Sequence, residues 1–277
     1  MTAVPDADAP DGSSLYYALW GLDDTLRERA LARLAFGTAL ADAVNDVREP
    51  DVARRKIHWW HEELERLHAG APRHPATTAC AELTGSHDAM ARALDALGGA
   101  AEQRLAPAEN VATLEARLAR SAGARLWLVL DGIDAAALDG HDTLPPTWTG
   151  LATGLALHER LARLAELLSR EHPVFALDSW QRHEARPADI GSEDPARAAR
   201  GRQVIDEALA RASEVLAAGI DEAASACDRG RPARAAIVLG RLRQRQLALW
   251  SRQSSELVRT RASLTPIRKL FIAWRTR

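Results

Sequence analysis

The chain has 277 residues, which is the size of one large domain or two small ones. Hydrophobic residues make up 47% of the sequence, which is enough for a folded core and excludes an intrinsically disordered chain. The formal net charge is −2, with 36 basic and 38 acidic residues, so no overall positive field would draw the protein to nucleic acid. The apolar residues are mostly alanine and leucine, which favours closely packed helices.

The first residues, MTAVPDADAPDGS, are acidic and rich in proline, and they lack the basic start and apolar centre of a signal peptide. We expect residues 1–13 to form a disordered tail, followed by one domain over residues 14–277. No run of 18 apolar residues occurs, so the sequence predicts no transmembrane segment. Cys80 and Cys227 are far apart and fit no metal-ligand pattern, which favours a reduced, cytoplasmic setting.

Helical periodicity extends over most of the chain. A short apolar element, SLYYALWGL, is followed by predicted helices over 24–44, 51–69, 76–85, 87–97, 110–130, 149–171, 200–227 and 232–259, and by a short basic helix, TPIRKLFIAWRTR. Two segments rich in turn residues, 131–148 and 173–198, are predicted as loops. Because no strand or internal repeat is indicated, we predict one all-α domain.

Paired acids suggest a metal site near the end of the first long helix. Asp42 and Asp46 are four residues apart, so they share one helix face, and such pairs can hold Mg²⁺ and through it a diphosphate. The spacing alone favours a simpler interpretation, a solvated helix face. His58 and Glu62 have the same spacing, but no third ligand is indicated and the HExxH pattern is absent, so a structural role is favoured there.

Four segments together resemble the squalene/phytoene synthase family. SLYYALWGL is similar to its opening motif, AFGTALADAVNDVREPDVARRKIHWWHEEL to its first aspartate helix and the helix after it, GAPRHPATTACAEL to its G.P.HP loop, and RASLTPIRKLFIAWR to its C-terminal end. The resemblance implies a single-domain isoprenoid-synthase-type helical bundle around a central cavity. It also implies that Ser14, Tyr17 and His158 bind ligand, with His158 at the position of a family glutamine.

The acidic motifs depart from the family pattern. Active members hold Mg²⁺ between two aspartate-rich helices and condense two prenyl diphosphates head to head. Here Ala41 and Asn45 replace two aspartates of the first motif.

The second motif reads GLALHERLARLAELLSRE, and Ala165 and Ser169 replace its two aspartates. Glu159 and Glu166 remain, seven residues apart on one predicted face, with Arg163 between them and able to neutralise either.

Two functions follow from the resemblance. The favoured one is a catalytically silent member that keeps an apolar cavity for a prenyl or other lipid-like ligand, or that acts as an assembly or binding partner, and for it no cofactor is expected. The alternative is a Mg²⁺-dependent head-to-head prenyl transferase that uses Asp42 and Asp46 with Glu159 and Glu166. The sequence identifies no protein partner and no oligomeric state.

The basic C-terminal segment allows two interpretations. Its cations are Arg268, Lys269, Arg275 and Arg277, and Leu270, Phe271 and Trp274 lie between them. Such a segment could contact anionic lipid, which would make the protein peripheral to a membrane. Packing on the bundle, as the family's last helix does, is the favoured alternative.

Overall fold

All regular structure within residues 9–45, 49–81, 87–104, 106–259 and 262–277, the part of the chain that the computed structural model describes, is helical. The α-helices are α1 Ser14–Leu19, α2 Asp24–Asn45, α3 Pro50–His68, α4 Pro75–Ala81, α5 His87–Arg104, α6 Val111–Asp134, α7 Pro146–Ala162, α8 Leu164–Ser169, α9 Leu177–Arg182, α10 Pro195–Ala226, α11 Arg234–Trp250 and α12 Pro266–Thr276. The predicted all-α fold class is confirmed.

The helices are arranged around the pair α7 and α10, which contact each other more extensively than any other described pair. On one side α6 packs against α7, α2 and α5 pack against α6, and α3 packs against α5. On the other side α11 packs against α10, and both α12 and α1 pack against α11. Most of the buried apolar side chains form one continuous core across these layers.

Glycines allow α7 and α10 to approach closely. A Cβ atom built on Gly219 would lie 2.1 Å from the backbone nitrogen of Leu151 and 2.2 Å from the carbonyl carbon of Gly150. A Cβ atom on Gly154 would lie 2.6 Å from the Cα of Leu216. Since those neighbours are backbone atoms, no side chain can move aside, and only glycine fits at these crossings.

A buried carboxylate joins α3 to the following loop and α4. Glu63 is fully buried and accepts hydrogen bonds from the backbone amides of Arg73 and His74, both at 2.7 Å, from the Thr77 hydroxyl and from Arg66 Nε at 2.8 Å. Burial raises the pKa of Glu63, but these donors outweigh it and lower the pKa to about 2. Glu63 is therefore ionised, and it orders the G.P.HP loop.

Several predicted boundaries were wrong: α5 continues to Arg104 and α6 to Asp134, past the predicted ends at 97 and 130. Three further differences have a local structural cause. The helix predicted over 149–171 is interrupted at Arg163, whose φ and ψ of −102° and 13° separate α7 from α8. α11 ends at Trp250 rather than near Arg259, because Gln253 leaves the helical region and the Trp250 indole donates to the Ala262 carbonyl at 2.8 Å. The predicted loop 173–198 contains α9, which the Leu177 amide fixes to the Ala108 carbonyl at 2.8 Å.

Part of the predicted N-terminal tail contacts the bundle. Residues 1–8 lie outside the described residues, but Ala9 packs against the cluster around Leu19 and Leu22. Lys269 of α12 donates from Nζ to the Gly12 carbonyl at 2.8 Å, and Ser13 caps α1. Within the described helices, none is long and apolar enough to cross a membrane.

Replacing Gly219 by alanine is expected to destabilise the protein by at least about 3 kcal/mol, because the added methyl group would force α7 and α10 apart. Denaturant unfolding of both this variant and Gly123→Ala measures the effect. Gly123 is also helical, but a Cβ atom there would meet only the Leu144 side chain, at 3.7 Å. Gly123→Ala should be neutral or stabilise by up to about 1 kcal/mol. Equal stability of the two variants would show that the α7–α10 crossing tolerates a side chain.

Glu63→Gln is expected to lower the free energy of unfolding by roughly 1–3 kcal/mol at neutral pH, because an amide cannot accept all of the buried donors. The folded pKa of about 2 lies below the ordinary 4.5, so the stabilisation by Glu63 is present above pH 4.5 and is lost as the pH falls towards 2. The gap between wild type and variant should therefore narrow over that range. Glu65→Gln, an exposed substitution on the same helix, should leave stability unchanged at every pH.

Candidate functional site

The acids of α7 and α8 are each bound by arginine. Glu159 on α7 accepts a hydrogen bond from Arg125 of α6 at 3.0 Å. Glu166 on α8 accepts two hydrogen bonds from Arg163, at 2.8 and 3.0 Å, and Arg170 lies 3.5 Å from it. Both carboxylates therefore already have cationic partners.

Arg163 is also close to the acid that remains in the first motif. Asp42 is exposed near the end of α2, and its charge reaches Arg163. The hydrogen bonds that Arg163 donates to Glu166, and then the charges of Glu166, Glu159 and Asp42, raise the pKa of Arg163. Asp46 lies outside the described residues. The charges of three of the four predicted metal-binding acids thus act on a single guanidinium, and one of the three, Glu166, is hydrogen-bonded to it.

The arginines also fix the protonation of Glu159. Burial raises the pKa of this carboxyl, but the Arg125 ion pair and the charges of Arg163 and Arg243 outweigh it, so the pKa lies below its usual range. Glu159 is ionised at neutral pH and has no role as a general acid there.

His158, one residue before Glu159, faces the interior instead. Its ring is buried and stacks on Trp250, with 4.7 Å between ring centroids and 21° between the planes. Nε2 lies 3.1 Å from Oε1 of Gln246, which also accepts from Arg243 at 3.0 Å. Burial and then the Arg243 charge lower the pKa of His158 well below its usual value. The ring is neutral at pH 7, and its contact with the Gln246 oxygen places the proton on Nε2.

Arg243, a partly desolvated cation, lies beside His158, and its charge also reaches a second one, Lys269. Burial lowers the pKa of Arg243, and the charge of Glu159 opposes this. Burial also lowers the pKa of Lys269, and the Arg243 charge lowers it further. Neither cation is hydrogen-bonded to a carboxylate within the described residues, since Arg243 donates to Gln246 and Lys269 to the Gly12 carbonyl. We call Arg243, Lys269, His158 and Gln246 the polar cluster.

The residues expected to bind ligand lie around α11. Ser14 is the buried first residue of α1, two residues after the Gly12 carbonyl that Lys269 contacts. Tyr17 packs against the cluster that contains Val238 and Leu242, on the stripe of α11 that continues to Gln246. Ser14 and Tyr17 thus lie on a helix that packs against α11, which carries Arg243 and Gln246, and His158 itself belongs to the polar cluster.

The sequence patterns that predict a Mg²⁺ site consist of carboxylates, so they gave no indication of a site at Arg243 and Gln246. Gln246 occurs four residues after Leu242 and four before Trp250, within an apolar stripe of α11. A polar side chain at a buried position needs a hydrogen-bond partner. The position of Gln246 within the apolar stripe was therefore the one sequence feature that indicated a buried polar contact.

The other paired residues form no metal site. His58 Nε2 lies 3.4 Å from Glu62 Oε1, and both side chains are largely exposed. Across the described ranges, no group of three or more histidine, cysteine, aspartate or glutamate side chains is arranged to hold a metal ion.

Comparisons with known proteins agree with this architecture. The sequence model of the squalene/phytoene synthase family matches residues 9–268. The structure is similar to that of a dehydrosqualene synthase in complex with ligand, with a TM-score of 0.71 and 13% identity over 98% of this chain and 92% of that chain. It is also similar to squalene synthase HpnC from Alicyclobacillus acidocaldarius, with a TM-score of 0.62 and 18% identity over 90% of this chain and 91% of that one.

A search of curated proteins finds no match. At the identities given above, the similar structures show the fold alone. The family match covers nearly the whole chain. The chain therefore belongs to the squalene/phytoene synthase family and has its all-α isoprenoid-synthase fold.

Proposed function

We propose that this family member binds a prenyl or other lipid-like ligand and does not carry out Mg²⁺-dependent prenyl transfer. The observation that carries the proposal is the ion pair of Glu166 with Arg163, whose guanidinium also lies within reach of the charges of Glu159 and Asp42. A guanidinium occupies the place among the acids where a metal site needs free carboxylate oxygens. The same interior could instead serve an assembly partner, but the polar cluster favours a small ligand.

The described acids do not fit Mg²⁺. This ion requires several oxygen ligands in near-octahedral geometry, and here both oxygens of Glu166 and one of Glu159 are already hydrogen-bonded to arginine. A fixed positive charge in their midst also repels a divalent cation. Binding of Mg²⁺ would require breaking these ion pairs.

The polar cluster offers a different way to hold an anionic end group. Arg243 and Lys269 carry positive charge in a partly buried site, where charge-assisted hydrogen bonds to phosphate are strong. His158 and Gln246 add polar contacts, and the rings of Tyr17 and Trp250 supply apolar walls. An amphiphile with a phosphate or diphosphate head and a prenyl tail matches this chemistry without a metal.

The alternative is a head-to-head prenyl transferase with relocated metal ligands. One observation favours it: Asp42 of α2 and Glu159 and Glu166 of α7 and α8 act on the same guanidinium, so acids from separate helices lie near one another. It requires Arg163 to turn away from Glu166 when substrate binds. Asp46 would have to complete the first pair.

Calorimetric titration of the full chain with farnesyl diphosphate tests the proposal. We expect binding of similar affinity with Mg²⁺ and with a chelator. Arg243→Gln should weaken it by roughly 10-fold to 100-fold, since an ionic hydrogen bond contributes about 1.5–3 kcal/mol. The same variant should bind farnesol, which lacks the diphosphate, as wild type does. Arg202→Gln, exposed on α10, is the matched control and should have no effect.

A different set of results would support the transferase instead. Affinity that depends on Mg²⁺, falls in both Asp42→Asn and Glu166→Gln, and comes with release of inorganic diphosphate would establish the transferase. Binding that is indifferent to Arg243→Gln would remove the polar cluster from the proposal.

Removal of Arg163 tests whether this side chain keeps the metal out. In Arg163→Gln, Glu166 loses its two hydrogen bonds and the neighbouring acids lose a positive charge. We expect the affinity for Mg²⁺, measured by calorimetry without other ligands, to increase severalfold over the wild type. Arg202→Gln should not change it. An unchanged Mg²⁺ affinity in Arg163→Gln would show that the acids are unable to bind the ion even when freed.

A further inference from the structure

The C-terminal helix α12 presents its apolar face to solvent. Ile267, Leu270, Phe271 and Trp274 are 81%, 40%, 55% and 70% exposed. Their spacing of three, four and seven residues places them on one stripe of the helix. The opposite side of α12 is buried against the bundle through Lys269 and Ala273. We call the four exposed residues the apolar row.

The apolar row is not a scatter of single surface side chains. It accounts for four of the seven large hydrophobic residues that are exposed in the described chain, and Trp20 at the end of α1 is 48% exposed. Arg277 connects this residue to the end of α12, because its guanidinium lies 5.2 Å from the Trp20 ring centroid. Contiguous exposed apolar surface of this kind marks an interaction site.

Arginines border the apolar row on one side. A groove of about 480 Å³ between α10, α11 and α12 is lined by Phe271 of the row and by five arginines, Arg229, Arg234, Arg241, Arg245 and Arg275. We call these five the groove arginines. Arg234 donates to the Cys227 and Thr276 carbonyls, and Arg241 is paired with Asp221.

The other three groove arginines, Arg229, Arg245 and Arg275, have no carboxylate partner within the described residues, although Asp228 is adjacent to Arg229 in sequence. Cationic groups beside an apolar row are the pattern of a helix that lies in a membrane interface. Tryptophan and phenylalanine are favoured at that depth, where the ring is half in water and half in hydrocarbon. Guanidinium groups bind lipid phosphates through paired hydrogen bonds.

We propose that the apolar row inserts into the surface of a membrane that contains anionic phospholipids, with the groove arginines on the headgroup phosphates. α12 then lies parallel to the bilayer plane while Lys269 and Ala273 keep it on the bundle. This inference concerns the outer face of the protein and is independent of the proposed ligand. The two interpretations of this segment are then compatible, since α12 packs on the bundle, as favoured from the sequence, and still exposes its apolar face.

A second copy of the chain is a poorer occupant for the apolar row. An 11-residue helix presents a face about 16 Å long and 10 Å wide, whereas a stable interface buries about 800 Å² per partner. Pairing of two rows about a twofold axis would also bring the cations beside them, Arg268, Arg245 and Arg275, towards their own copies. Like charges in contact oppose such pairing.

Co-sedimentation of the full chain with vesicles tests the proposal. Binding is expected with vesicles of phosphatidylglycerol and phosphatidylcholine in equal proportion and not with phosphatidylcholine alone. The double variant Phe271→Ser/Trp274→Ser should reduce the partition coefficient by roughly tenfold or more, since two large rings no longer enter the interface. Arg245→Gln and Arg275→Gln should each reduce it about fivefold, and high salt should act in the same direction.

Two control variants change exposed residues outside the apolar row and the groove. Leu177→Ala removes an exposed apolar side chain on α9. Arg202→Gln removes an exposed cation on α10, about 36 Å along the helix from Ala226, where α10 ends near the groove. Both variants should bind vesicles as the wild type does. Circular dichroism should show that every variant is folded, and titration with farnesyl diphosphate should be unchanged in the double variant.

Four results would overturn the proposal: no binding to either vesicle, equal binding to both, full binding by the double variant, or loss of binding in the controls. Sedimentation velocity without lipid tests the competing occupant. A dimer that dissociates in Phe271→Ser/Trp274→Ser would assign the apolar row to a second copy of the chain.

Discussion

The close contact of α7 with α10 is the constraint on which the rest of the structure depends. Gly150 and Gly154 on α7 meet Gly219 and Leu216 on α10, and backbone atoms touch where side chains would normally intervene. This contact fixes the direction in which α7 presents its two functional faces. His158 points to the interior beside α11, while Glu159 points to Arg125 of α6. A shift between α7 and α10 would therefore disturb both sites together.

The balance of charge differs between the two faces of α7. At the outer end the acids are neutralised, because Glu159 and Glu166 each accept a hydrogen bond from a guanidinium. Around α11 the balance is positive, since Arg243 and Lys269 are partly desolvated and neither is hydrogen-bonded to a carboxylate in the described chain. The interior is thus suited to an anion, whereas the acidic end is electrostatically satisfied. Family membership alone would suggest that the acids, and not the interior cations, bind the ligand's charged group.

The sequence predicted those features that local patterns determine, such as helices and the loop around His74. It did not predict features that depend on contacts between helices distant in the chain. Periodicity placed most helices, and the loop around His74 was recognised from the motif whose amides bind Glu63. The interruption at Arg163 was missed because the apolar pattern continues across it. The role of Arg243 was missed because its charge acts on His158 and Lys269, which are distant from it in sequence and come within its reach only in the folded bundle.

Arg163 makes the acids around it energetically dependent on one another. The charges of Asp42, Glu159 and Glu166 all act on its guanidinium, so the effect of replacing any of them depends on which others remain. Restoring a missing aspartate to the first motif would leave the guanidinium in place, whereas removing the guanidinium would leave the three acids without that positive charge. Single substitutions among these four side chains are therefore expected to have effects that do not add, so each side chain's contribution can be assigned only together with the others.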